Sequence, residues 1–271
     1  MANLSEQRIM VHCDFSESMN TAIVHGARIA GIFKKELCLY HPLKKADKSE
    51  KLAAQKALTK IIHQLKEDLP HLPISSLTLK GDLEQGIDRV AEQYDGIMLV
   101  LTAEHLKAKL RALQISQIPF LFVQTNKERS LTYQKPMLPV DFRKVMKDTS
   151  LWASYFGRFN QAEVTVVNAT EKNPENATMI RKNLKFINQL LTKLHLDFNQ
   201  QSCPKGSFAL PFEALKSCQA DGHDLLIIPS SKNISLLDLI IGLPESKVIK
   251  KAGEIPVLCI NPKRDMYILC D

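Results

Sequence analysis

Two carboxylates stand out by position. Asp14 sits in His-Cys-Asp-Phe-Ser (12–16) and Asp141 in Pro-Val-Asp-Phe-Arg (139–143), each directly after a short apolar run. A carboxylate at the end of a strand accepts hydrogen bonds from a ligand or from the first backbone N–H groups of the next helix. His12 and Cys13 precede Asp14, and His41 ends the next apolar run. Imidazoles and a thiolate are donors for Zn²⁺. These residues alternate in and out of a pleat and include no close-spaced ligand pair, so they read as structural and no metal is expected. Ser230 and Ser231 follow another apolar run, where serines ordinarily turn the chain. The sequence contains no Gly-x-Ser-x-Gly, Walker or His-Glu-x-x-His motif, and no general base stands beside a phosphate site. The reading is therefore non-enzymatic.

The elements that must position these residues occur twice. Arg8 to His41 registers without a gap on Lys135 to Asn168, at an offset of 127 residues, the distance from Asp14 to Asp141. The two segments share Met10/Met137, Asp14/Asp141, Phe15/Phe142, Met19/Met146 and Glu36/Glu163. In the first copy, apolar runs at 9–13, 37–40, 74–79, 97–101 and 119–123 predict strands. Helices lie between them, with Ser16 as the N-cap of the first and Leu58, Ile61, Ile62, Leu65 and Leu69 as the stripe of the second. The second copy repeats the order with strands at 137–140, 163–167, 225–228 and 256–260 and a weak one near 196–200. Polar, aperiodic residues 124–134 read as a linker, giving domains 1–124 and 135–265. Strand–helix alternation implies parallel sheets with right-handed crossovers, and ligands of such sheets bind at the carboxyl ends of the strands.

Composition narrows the partners. A chain of 271 residues with 45% hydrophobic content can build two ordinary cores. No apolar run reaches 18 residues, and the start MANLSEQR lacks the basic-then-apolar order of a signal peptide, so no membrane span is expected and the location is read as cytoplasmic. The six cysteines have no Cys-x-x-Cys spacing and mostly fall in apolar elements, as buried thiols in a reducing compartment do. The net charge of +7 comes from lysines mixed with Glu and Asp at helical spacing, and aromatics are only 6%. These are solvated helix faces rather than a nucleic-acid surface.

The chain resembles the universal stress protein family in its tandem form. The resemblance covers nearly the whole length. It rests on the Val-Asp-Phe turn after the first strand and on the apolar fourth strand after a Gly-containing segment (Gly81, Gly206). It also rests on the ending Glu245-Ser-Lys-Val-Ile-Lys-Lys-Ala-Gly-Glu-Ile-Pro-Val-Leu-Cys-Ile260, with Ile118-Pro-Phe-Leu-Phe-Val123 as its counterpart. The resemblance implies two five-stranded parallel sheets of order 3-2-1-4-5 with helices on both faces, a Rossmann-like fold of the adenine nucleotide alpha hydrolase type. It also implies antiparallel pairing of the fifth strands, which would make an intrachain pseudo-dimer or a homodimer, and covering such edges agrees with their physics.

Nucleotide-binding members of that family carry Gly-x-x-Gly after strand four, then a third Gly nine residues later followed by Ser or Thr. Glycines let the backbone approach phosphates. In the second copy these positions are Pro229, Lys232, Gly242 and Leu243, with Pro244 and Glu245 next. Pro229 has no N–H, Leu243 has no hydroxyl, and Glu245 puts a negative charge where phosphate would approach. Each lost charge-assisted bond costs roughly 1.5–3 kcal/mol. Losing two or three weakens binding by about two to six orders of magnitude. The first copy is shorter, 17 residues from Leu101 to Gln117 against 26 from Pro229 to Glu254, and its glycine-free stretch 103–113 reads as a helix. What remains by analogy is an ATP or AMP site of Pro139, Asp141, Ala169, Ser230, Lys232 and Gly242. The first expectation is a stress-response protein acting through assembly with that site lost or weakened, and the alternative is a nucleotide sensor. Leu236, Leu237, Leu239, Ile240 and Ile241 form an apolar run expected to pack on the sheet, the other copy or a partner.

Overall fold

The computed structural model describes residues 7–44, 47–125, 127–231 and 244–261. Strands and helices alternate, and the chain divides after Gln124 into two compact units. The first unit runs β1 (Arg8–His12), α1 (Met19–Phe33), β2 (Glu36–Leu43), α2 (Lys48–Asp68), β3 (Ile74–Lys80), α3 (Leu83–Gln93), β4 (Gly96–Thr102), α4 (Leu106–Ile115) and β5 (Phe120–Val123). β1 pairs with β2 on one side and β4 on the other, β2 with β3, and β4 with β5, all parallel. The second unit runs β6 (Pro136–Val140), α5 (Met146–Asn160), β7 (Val164–Asn168), α6 (Pro174–Lys193), β8 (Phe198–Ser202), α7 (Leu210–Asp221), β9 (Leu225–Pro229), α8 (Pro244–Lys251) and β10 (Val257–Ile260). Here β6 pairs with β7 and β9, β7 with β8, and β9 with β10, again parallel.

The central strands are apolar because helices cover both faces. Every residue of β4, β6 and β9 is buried. α1 approaches β1 closely at Gly26, where a Cβ would lie 2.2 Å from Val11 Cγ2. Helix starts follow the sequence where a capping side chain exists. Asp47 accepts from Glu50 N–H at 2.6 Å, Asp82 and Gln85 form a reciprocal capping box, and Asn173 caps α6 ahead of Pro174. Each such cap stabilises its helix by about 1 kcal/mol.

Three local expectations change. Ser16 does not cap α1, which starts after Ser18, because its hydroxyl is drawn to the Asp14 carboxylate at 2.6 Å. The weak strand is shifted to Phe198–Ser202, and its half-exposed to exposed residues suit a strand that pairs only with β7 among the described residues. Residues read as a linker are folded into the second unit. Glu128–Leu131 form a 3-10 turn, and the fully buried Tyr133 stacks on Phe156 with ring centroids 5.7 Å apart. The Asp224 carboxylate gathers this segment, accepting from Gln134 N–H at 2.7 Å, Lys135 N–H at 2.9 Å and the Thr132 hydroxyl.

Candidate functional site

In each unit the candidate site lies at the carboxyl ends of the first and fourth strands. The registers correspond: Met10 is opposite Leu99 in the first unit, and Met137 is opposite Leu226 in the second. Thr102 and Pro229 therefore close equivalent strands.

In the first unit, Cys13 N–H still bonds Tyr40 O at 2.7 Å, and the chain then turns through Asp14 and Phe15, which has φ of 57°. Asp14 Oδ1 accepts from Ser16 N–H at 3.1 Å and from the Ser16 hydroxyl. Its Oδ2 faces Lys109 of α4 at 3.7 Å. Lys109 is 3% exposed, and its Nζ donates to Thr102 O at 3.0 Å and Thr102 Oγ1 at 3.1 Å. Burial lowers the lysine pKa, and the Asp14 charge opposes that fall. Burial pushes the Asp14 carboxyl up, but the two Ser16 bonds, His12 and Lys109 together hold it below its ordinary value. His12 Nδ1 lies 4.0 Å from Asp14 Oδ2 and is buried without a hydrogen-bond partner. Burial first, then the Lys109 charge, push this imidazole down to about 4, so it is neutral near pH 7.

His12, Cys13 and His41 do not assemble a metal site. His41 Nδ1 donates to Cys13 O at 2.5 Å, and its ring lies 4.7 Å from that of Phe15. The Cys13 thiol points to Val11 O at 3.5 Å, and burial pushes its pKa up. Among the described residues, no group of three or more His, Cys, Asp or Glu side chains is placed to hold an ion.

In the second unit, Asp141 is buried after β6. Its Oδ1 accepts from Arg143 N–H at 2.8 Å, and its Oδ2 from Arg143 Nε at 2.8 Å and from Nη2. Asn183 of α6 pins the turn, donating to Asp141 O at 2.8 Å and Arg143 O at 3.0 Å. Pro139 and Ala169 are buried, and Ala169 N–H extends the sheet to Val140 O at 3.0 Å. They supply apolar wall and no free donor. Ser230 likewise continues the ladder, through its N–H to Ile260 O at 2.9 Å, and its hydroxyl is paired with Asn261. Ser231 is half-buried. Its N–H donates to Glu245 Oε1 at 2.8 Å and its hydroxyl to Oε2 at 3.0 Å. Glu245 is 2% exposed, in the first turn of α8. Lys232, Gly242, Leu243 and the apolar run 236–241 lie outside the described residues.

Lys109 and Asn183 were not singled out from sequence, yet both carried a signal. Lys109 falls between Leu106, Leu110 and Leu113 on the buried stripe of α4, and Asn183 between Ile180 and Ile187 on that of α6. A polar residue at a core-facing helical position must find buried partners.

No protein-family sequence model and no curated protein sequence matches the chain. Solved structures do. A universal stress protein from Archaeoglobus fulgidus DSM 4304 is 12% identical with a TM-score of 0.73, the match covering 95% of this chain and 99% of that one. A functionally unknown protein from Pseudomonas aeruginosa PAO1 is 17% identical with a TM-score of 0.62, covering 96% and 94%. The cytoplasmic domain of a prokaryotic cation chloride cotransporter is 16% identical with a TM-score of 0.57, covering 94% and 95%. At these identities the likeness is one of fold, and it extends over both units. Among the described residues, no helix is long and apolar enough to cross a membrane.

Proposed function

We propose that the chain is a tandem universal stress protein that acts through protein contacts, without catalysis, and whose adenine-nucleotide sites have been taken over by its own side chains. One observation carries this reading. Asp14 and Asp141, the carboxylates at the carboxyl ends of the first strands of the two units, are each committed to a cation of the chain itself, Lys109 and Arg143. A nucleotide would have to displace these partners and offer better bonds in return. Among the described residues, the cysteine side chains are buried, which fits a reducing, cytoplasmic setting. The fifth strands β5 and β10 are short and apolar, and edges of that kind are covered in stable proteins. We take their pairing, within a chain or between chains, as the assembly contact.

Mass spectrometry of small molecules released from the purified, denatured protein tests the reading. A buffer-like blank is the expected result. Stoichiometric ATP, ADP or AMP would make the second unit a nucleotide sensor and overturn it.

A further inference from the structure

We propose that a cavity at the amino ends of β9 and β10 binds a small organic cation, an alkylammonium or guanidinium whose N–H groups meet the carboxylates of Asp224 and Glu254. The cavity measures about 310 Å³, within the size range of small-molecule sites. Asp224 directly precedes β9 and Ile255 lies just before β10, so it sits at the end of the sheet opposite to Asp141 and Ser230. Gln219 and Glu254 of its lining are exposed, while Ser130, His223, Asp224 and Ile255 are buried.

The side-chain donors of this lining are spent on main-chain carbonyls. Gln219 Nε2 donates to Lys251 O at 3.0 Å and Ala252 O at 3.4 Å, the Ser130 hydroxyl to Lys127 O at 2.7 Å, and His223 Nδ1 to Lys135 O at 3.1 Å. The main-chain N–H groups of Asp224 and Ile255 are spent likewise, on Lys135 O at 3.3 Å and Ala252 O at 3.0 Å. What these side chains have left to offer is acceptors: the Gln219 carbonyl, the Ser130 oxygen and two carboxylates. The charges point the same way. Asp224 is 2% exposed, and among the described residues its carboxylate is bonded by neutral donors, the Gln134 and Lys135 N–H groups and the Thr132 hydroxyl. Its charge is therefore weakly screened by water. Glu254 pairs with Lys127, but both are exposed, and a surface pair of that kind yields at little cost. Ile255 supplies apolar wall for a carbon skeleton. An anion would meet two like charges here, and a neutral donor would gain only ordinary hydrogen bonds, so the ligand class is cationic.

The inference is independent of the nucleotide reading, since it concerns the opposite end of the strands. The test is heteronuclear NMR of the full chain titrated with phenethylammonium, with phenethyl alcohol as the neutral counterpart of equal size. The amine binds with a Kd of about 0.1–1 mM and shifts the amide signals of Gly253 and Ile255, and the alcohol binds about tenfold more weakly. Lys127→Ala, which releases Glu254, tightens amine binding by about twofold, and Glu254→Gln weakens it by about threefold. Asp224→Asn weakens it by about tenfold or more. If the asparagine variant does not fold, the alcohol comparison and the two rim variants decide. Equal affinity for amine and alcohol, tighter binding by Glu254→Gln, or no shift at Gly253 and Ile255 at amine concentrations of about 10 mM overturns the proposal.

Discussion

In the first unit the carboxylate after the opening strand is matched by a lysine from a distant helix. In the second it is matched by an arginine two residues away. The backbone turn is similar, since Ser16 N–H and Arg143 N–H each bond the Oδ1 of the preceding aspartate. What differs is where the positive charge comes from and how dry it is. Lys109 is 3% exposed and also ties the end of β4 through Thr102, so the first unit's ion pair is part of its core. The Arg143 side chain is 37% exposed and makes a local clasp over a buried aspartate. The two copies have reached one outcome, an occupied strand edge, by a tertiary route and by a local one.

That contrast predicts unequal costs. Lys109→Met leaves Asp14 and the Thr102 carbonyl without their buried cation and destabilises the first unit by about 3–5 kcal/mol. Arg143→Ala costs about 1 kcal/mol, because water reaches the space a half-exposed guanidinium leaves. Calorimetric melts of the two variants compare them directly, and equal losses would break the distinction between a core pair and a clasp.

Acid separates the units next. His12 is faced by Asp14, Lys109 and His41, and the position equivalent to it in the second unit is Pro139, which cannot titrate. Its folded pKa of about 4 lies below the ordinary 6.5, so between these values the unfolded chain binds the extra proton. Stability therefore falls as pH drops from 6.5 toward 4, by up to about 3 kcal/mol. The depressed Asp14 pKa acts in the same direction at the acid end, because its contribution is lost as pH falls through the folded value. Melts across this range should show the first unit's transition moving to lower temperature, with the slope flattened in His12→Leu. A parallel shift of both units would contradict the assignment.

A smaller effect sharpens the second unit alone. Asn183→Ala removes two bonds to the carbonyls of Asp141 and Arg143 and should cost about 2 kcal/mol. Urea unfolding measures it, and a neutral result would mean the Asp141 turn holds itself.

Much of this architecture was legible because strands covered on both faces leave apolar runs such as 97–101 and because Asp14 and Asp141 mark the repeat. The site was legible only in outline. Asp141 and Glu245 could be located from sequence, but their partners could not. Arg143 is adjacent in sequence, yet whether its guanidinium folds back depends on the turn. Lys109 joins Asp14 only when α4 packs beside the end of β1, a contact between residues 95 positions apart. The linker reading failed for a related reason. One buried aromatic, Tyr133, and one carboxylate, Asp224, order residues that show no periodicity of their own.

The central claim is that the chain's own charges hold both strand edges against nucleotides. Isothermal titration of the native protein with ATP and AMP to millimolar concentration tests it most directly. The account predicts heats indistinguishable from dilution for both. Saturable binding at one site per chain with a Kd below about 100 μM, an affinity of roughly 5–6 kcal/mol, would contradict it.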